Sequence, residues 1–266
     1  MAPTTLPFEQ GPSPGLDRHF ILPTIRHVPT SQPLVWLRRG WQDLRRNASL
    51  SAAYGFVFTV AGWLLLFFAE PRPYLFTAAV SGFMLVAPLL AASLCEISRR
   101  QDEALATTFR DSLSCWARNG GSIALFGLVL ALIAIAWERL SAILFALFYG
   151  GELPSVQSFL AAVLLSGNYW GLVIAYVALG ALLAALVFAM SAISAPMLVD
   201  REVDVVTAVA TSLKAVRQNP AAMALWAALL VALMALGFAT LLLGMIVLLP
   251  WAAHASWHAY RDLAHR

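Results

Sequence analysis

From residue 48 onward the chain is a series of long apolar runs separated by short polar breaks. A hydrocarbon core about 30 Å thick takes about 20 apolar residues in helical form. The first run, 51–69 (SAAYGFVFTVAGWLLLFFA), is closed by Glu70-Pro71-Arg72-Pro73, whose two prolines stop a helix. Residues 74–95 follow at once, so the two runs predict a transmembrane hairpin. A third run starts at Ser122, meets Glu138-Arg139 and continues as mixed apolar sequence to Tyr149. Gly150-Gly151 and Pro154 mark a loop, and the apolar stretch 158–165 beyond it is too short to cross. The fourth run, 169–199, is longer than a membrane is thick. The last, 221–249, reads either as one tilted helix or as two hinged near Gly237, the second continuing through Pro250 to Tyr260.

Charge chooses between those two readings. Arg and Lys stay on the cytoplasmic side of membrane proteins with short loops. Six spans put the basic residues of 1–50, 96–119, 200–219 and 261–266 inside and leave only Arg72 and Arg139 outside. A single final helix would strand Arg261 and Arg266 on the wrong side. Six spans with both termini cytoplasmic is the expected arrangement.

Composition agrees. Hydrophobic residues make up 61% of the 266 and charged residues 12%. Soluble domains carry roughly 45–50% and about 25%. A single soluble domain is excluded, and so is a disordered chain. The net charge of +3 sits outside the apolar runs and reads as topology, not as a nucleic-acid footprint. Cys95 and Cys115 follow no metal spacing, and no disulfide framework is expected in so apolar a chain. Residues 1–33 hold seven of the 14 prolines and read as a disordered tail before a single membrane domain, 34–266.

Each inside segment contains a short amphipathic stretch ending in Asn, just before an apolar run. These are Gly40-Trp-Gln-Asp-Leu-Arg-Arg-Asn47, Ser112-Leu-Ser-Cys-Trp-Ala-Arg-Asn119 and Ser212-Leu-Lys-Ala-Val-Arg-Gln-Asn219. Apolar residues three apart give each a greasy face, as expected of a helix in the membrane interface with its basic residues toward headgroups. Asn is a good N-cap and is expected to start the membrane helix that follows. Pro88, Pro196 and Pro250 lie in the second helix of each expected hairpin, and eight residues beyond them stand Glu96, Asp204 and His258. The pattern predicts an all-α membrane protein: six transmembrane helices as three pseudo-repeats of interfacial helix plus hairpin. The repeats cover about 34–100, 103–206 and 207–262, the middle one enlarged by an outside insertion, 138–167.

Candidate chemistry is sparse. There is no P-loop, no GxSxG elbow and no HExxH. No run has an ionisable residue at its middle, as a proton relay or ion-coupled carrier usually has. His254 and His258 share a helix face, and Glu96, Asp200 and Asp204 are expected at the same inside depth, so these five form the candidate polar cluster. Alternatively the imidazoles face headgroups at a helix C-terminus. Glu96 lies within helical ion-pair reach of Arg99 and Arg100, and the group reads as a snorkelling helix exit. Asp200-Arg201-Glu202 reads the same way. Glu138-Arg139 reads as the end of the third span. Trp63, Trp137, Trp170 and Trp226 fall near run ends, as in aromatic belts, and Gly180 with Ala184 gives a small face for close helix packing.

Trp36-Leu-Arg-Arg-Gly40-Trp41, Ser81-Gly82-Phe83 with Pro88, Glu96-Ile-Ser-Arg-Arg100, Ser194-Ala-Pro-Met-Leu-Val-Asp200-Arg201, Asn219-Pro220 and His254-Ala-Ser-Trp-His258-Ala-Tyr-Arg261 together resemble one family. It comprises bacterial predicted integral membrane proteins of unknown function, some carrying a cytochrome c oxidase subunit label. The resemblance covers about residues 26–262. It implies a multi-pass protein of the bacterial inner membrane and no particular reaction. Haem–copper catalytic subunits need His ligands inside several spans, and this chain has His only near its ends. The expectation is a protein without enzyme activity, bound metal or cofactor: an accessory, assembly or scaffold component, for example one associated with a respiratory complex. Its partners would be the bilayer and other membrane proteins or further copies of itself. The alternative is a transporter or channel for small molecules or lipids.

Overall fold

The computed structural model describes residues 23–69, 91–148 and 169–264. They form helices α1 (Gln32–Arg46), α2 (Ala48–Ala69), α3 (91–102), α4 (Phe109–Ser112), α5 (Ser114–Phe148), α6 (Trp170–Ser191), α7 (Ser194–Asp200), α8 (Val205–Gln218), α9 (Pro220–Ala239) and α10 (Met245–Leu263). Among the described residues there is no strand, only an isolated antiparallel bridge between Ile25 and Ala264. Four described helical stretches are long and apolar enough to cross a bilayer: Ala48–Leu65, Phe109–Phe148, Trp170–Asp200 and Pro220–Ala239. The Glu70–Pro73 turn, Pro88, most of the expected second run and the 158–165 stretch lie outside the described residues.

The three Asn-terminated stretches fall where helices stop. Asn47 (φ −119°, ψ 41°) ends α1, and Asn219 (φ −127°, ψ 52°) ends α8. Asn119 (φ −142°, ψ 34°) breaks α5 within its first turns. The expected N-cap bond is missing at Asn219, because its side chain is used elsewhere. Its Nδ2 donates to the Arg26 carbonyl at 3.0 Å and its Oδ1 accepts from the Val28 amide at 2.9 Å. Asn119 Nδ2 reaches the carbonyls of Leu198, Arg201 and Val203 at 3.0–3.1 Å. Asn47 Nδ2 donates to Gln101 at 2.7 Å. Each amide therefore ties the start of an apolar helix to chain far away in sequence. An amide that satisfies several buried backbone groups cannot be exchanged for an apolar residue without orphaning them.

The segment 23–31 lies extended against helix ends. Besides the Ile25–Ala264 bridge, the Arg26 amide donates to the Leu263 carbonyl at 2.9 Å, so the described ends of the chain meet. Above this seam the largest buried cluster gathers Trp36, Trp226, Trp257, Tyr260, Met197, Leu198 and Phe126, with Trp36 and Trp226 edge to face at 5.7 Å. Farther along, α5 and α6 expose large apolar side chains such as Leu128, Leu132, Ile174 and Val177, as a lipid-facing surface does. α9 and α10 are joined by a tight turn in which Leu241 and Leu242 both have positive φ. Thr59 and Trp63 of α2 donate to the carbonyls of these two residues.

Candidate functional site

Polar side chains concentrate in the layer where α1, α3, α7 and the C-terminal half of α10 meet. α10 carries its two histidines one turn apart on a single face, and both are buried. His254 sits between two serines: Nε2 is 2.9 Å from Ser51 Oγ on α2, and Nδ1 is 2.8 Å from Ser98 Oγ on α3. Ser98 donates its hydrogen to Asp43 Oδ2 at 2.7 Å. A hydroxyl has one hydrogen, so Ser98 can only accept from His254. That assigns the imidazole proton to Nδ1 and leaves Nε2 to accept from Ser51. Asp43, on α1, also accepts from Gln101 Nε2 and lies 2.9 Å from His258 Nε2. One unbroken hydrogen-bonded chain, Ser51–His254–Ser98–Asp43–His258, thus laces α2, α10, α3 and α1 together. The headgroup-facing alternative for the histidines does not describe this geometry, since His254 is wholly enclosed.

The three carboxylates of the expected cluster go to separate places. Glu96, on the helix that carries Ser98, is fully buried and accepts from Arg99 at 2.7 and 2.8 Å, Arg118 at 2.7 Å and Ser114 at 2.9 Å. Arg118 also donates to the Val199 carbonyl, tying α3, α5 and α7. Asp200 accepts from Tyr260 Oη at 2.7 Å, and Arg201 Nε donates to the same Oη at 2.9 Å. Asp204 caps α8, accepting from the Thr207 amide and hydroxyl, which holds its carboxyl below the usual range. His254 and His258 are therefore linked, while Glu96, Asp200 and Asp204 are not part of their chain. Among the described residues no three His, Cys, Asp or Glu side chains are grouped to hold a metal ion.

Residues that the sequence reading passed over carry much of the layer. Asp43 is the hub, and Ser51 and Ser98 are the links. Asp262 accepts from Gln32, from Trp36 Nε1 at 2.9 Å and from Arg39 at 3.0 Å, closing the end of α10 onto α1. Trp257 Nε1 donates to Asp102 at 2.8 Å. The one available signal was that Asp43 is the only acid in an otherwise basic helix.

Burial by itself would raise the pKa of Glu96, but the Arg99 and Arg118 guanidiniums outweigh it and hold the carboxyl below its ordinary 4.5. A group whose folded-state value is lowered stabilises the fold above its unfolded value and loses that contribution as pH falls through the folded one. Thermal melting of the wild type should therefore drop as pH goes below about 4.5. Glu96→Gln should melt lower at neutral pH and lose part of that acid dependence. Equal slopes for the two proteins would contradict the assignment.

No curated protein and no solved structure matches the chain. Over residues 75–200 it matches the family model described as "Predicted integral membrane protein (DUF2189)", the family of unknown function that the motifs above resemble.

Proposed function

We propose that this is a non-catalytic, six-span protein of the bacterial inner membrane, with both termini cytoplasmic, serving as a scaffold or assembly component for other membrane proteins. One observation carries the non-catalytic part: every member of the candidate polar cluster is engaged by a partner within the chain. Glu96 is held by two arginines, Asp200 by Tyr260, Asp204 by Thr207, His254 by two serines and His258 by Asp43. Apart from Asp204, which caps its own helix, such pairing joins helices; catalytic groups need a face turned toward substrate.

One geometric pattern supports the six spans and the threefold repeat. Asn47 and Asn119 tie the starts of the first and second expected hairpins to the chain that closes each, residue 101 and residues 198–203, and Asn219 bonds residues 26–28, which in turn bond Leu263 at the close of the third. A helix whose start shares a side with its partner's end belongs to a pair that crosses twice. On this reading α10 is the return limb of the third hairpin, although its polar C-terminal half keeps it from counting as an apolar span.

The scaffold reading is tested by purifying the tagged full chain from its native membrane in mild detergent, with and without brief crosslinking. A partner membrane protein in fixed ratio is expected. Recovery of lone chains at every expression level would overturn it. Purified chain that alone gives solute or lipid flux in proteoliposomes would replace it with the transport alternative.

A further inference from the structure

The three Asn-terminated stretches look alike in sequence, yet the structure disposes of their cations differently. Arg118 is turned inward onto Glu96 and the Val199 carbonyl. In α8, Lys214 bonds the Pro23 carbonyl, leaving Arg217 as the exposed cation. In α1, Arg38, Arg45 and Arg46 are exposed and make no ion pair among the described residues, and Arg39 shares Asp262 with two other donors while staying exposed. The one acid of α1, Asp43, points into the protein. Among the described residues, Arg38, Arg45 and Arg46 of this helix therefore carry positive charge with no carboxylate paired to offset it.

The same face is also apolar. Leu34 is 54% exposed and Trp41 37%. Leu34, Arg38, Trp41 and Arg45 recur at helical spacing and form one stripe, while Pro33, Trp36, Gly40, Asp43 and Leu44 form the buried face. Trp41 is braced edge to face on Trp251 at 5.1 Å, and Trp251 Nε1 donates to the Leu37 carbonyl at 2.7 Å, so the stripe stands on a fixed base. An acidic protein surface would complement the arginines but leave Leu34 and Trp41 without suitable contacts. A headgroup layer accommodates both, phosphates against guanidinium and acyl-chain boundary against Leu and Trp.

The geometry points to the outer face of α1 as a docking surface for anionic phospholipid headgroups, so that the lipid selectivity of the protein resides in this one helix and not in its two sequence counterparts. Phosphate oxygens bind Arg38, Arg45 and Arg46, and Trp41 and Leu34 enter the interface between them. The probe is phosphatidylglycerol bearing a fluorescent headgroup label, bound to the full chain in neutral detergent and displaced by unlabelled phosphatidylglycerol or phosphatidylcholine.

Phosphatidylglycerol is expected to displace the probe far better than phosphatidylcholine, with the difference shrinking at high salt. Each of Arg38→Gln, Arg45→Gln and Arg46→Gln should weaken binding about fivefold, whereas Arg217→Gln should leave it unchanged. All four are surface changes, and thermal melting without added lipid should match the wild type. Equal displacement by the two lipids would overturn the proposal. So would loss of binding in Arg217→Gln as large as in the α1 variants, or an acidic polypeptide that displaces the probe better than phosphatidylglycerol does.

Discussion

Asp43→Ala is expected to destabilise the protein by about 3 kcal/mol. The carboxylate accepts from Ser98 and Gln101 and pairs with His258, and it is almost entirely buried. Its removal leaves these donors without an acceptor in a place water does not reach. The effect does not stop at the direct partners of Asp43. Ser98 is oriented by Asp43, and His254 Nδ1–H is oriented by Ser98, so the contact between α10 and α3 loosens with it. Asp43→Asn keeps the shape but turns an amide N–H₂ toward donors, and should recover less than half of the loss. Asp262→Ala, at the more exposed end of the same α1–α10 seam, should cost less. The buried thiols of Cys95 and Cys115 provide the readout, since a thiol-reactive dye labels them only on unfolding. An Asp43→Ala protein melting with the wild type would mean that the hydrogen-bonded chain contributes nothing to stability.

The reason Asp43 escaped the sequence reading is instructive. In Gly40-Trp-Gln-Asp-Leu-Arg-Arg-Asn47 a carboxylate beside two arginines reads as part of a solvated face. What turns it inward is His258, 215 residues away, and nothing local specifies that meeting. The histidines posed the converse problem. Their shared face was legible from the four-residue spacing, but whether that face met headgroups or protein depended on α1 and α3 arriving there. Glu96 with Arg99 was readable as a helical pair three residues apart, while Arg118, which completes the burial, comes from another helix. The apolar runs, and the Asn positions as breaks, were legible because they depend on bilayer thickness and on local backbone preference. The direction of the Asn side chains was not, since a cap is a local bond and these amides make distant ones.

Gly40 and Gly55 set the other large expectation. α1 and α2 approach the same helix, α10, at points nine residues apart, each through a glycine. A Cβ on Gly40 would lie 2.5 Å from the backbone nitrogen of Ala255, and one on Gly55 would run into the Ile246 carbonyl. These obstacles are backbone, so no rotamer change relieves them, and α10 must move away. Replacing a helical glycine by alanine normally gains up to about 1 kcal/mol. Here the clash should exceed that gain, and Gly40→Val or Gly55→Val should each cost about 3 kcal/mol or more. Gly121→Ala is the matched control, because nothing lies within 4 Å of the added carbon. It should melt at or above the wild-type temperature. The two valine variants should in addition shift tryptophan emission, since displacing α10 opens the packing around Trp257 and the braced Trp41–Trp251 pair. If both valine variants melted with the wild type, α10 would not be the close-packed element against which the first two helices are assembled. Small residues in membrane helices then would be serving some end other than backbone approach, whereas close approach is what lets the Asp43–His258 and Ser51–His254 bonds form at all.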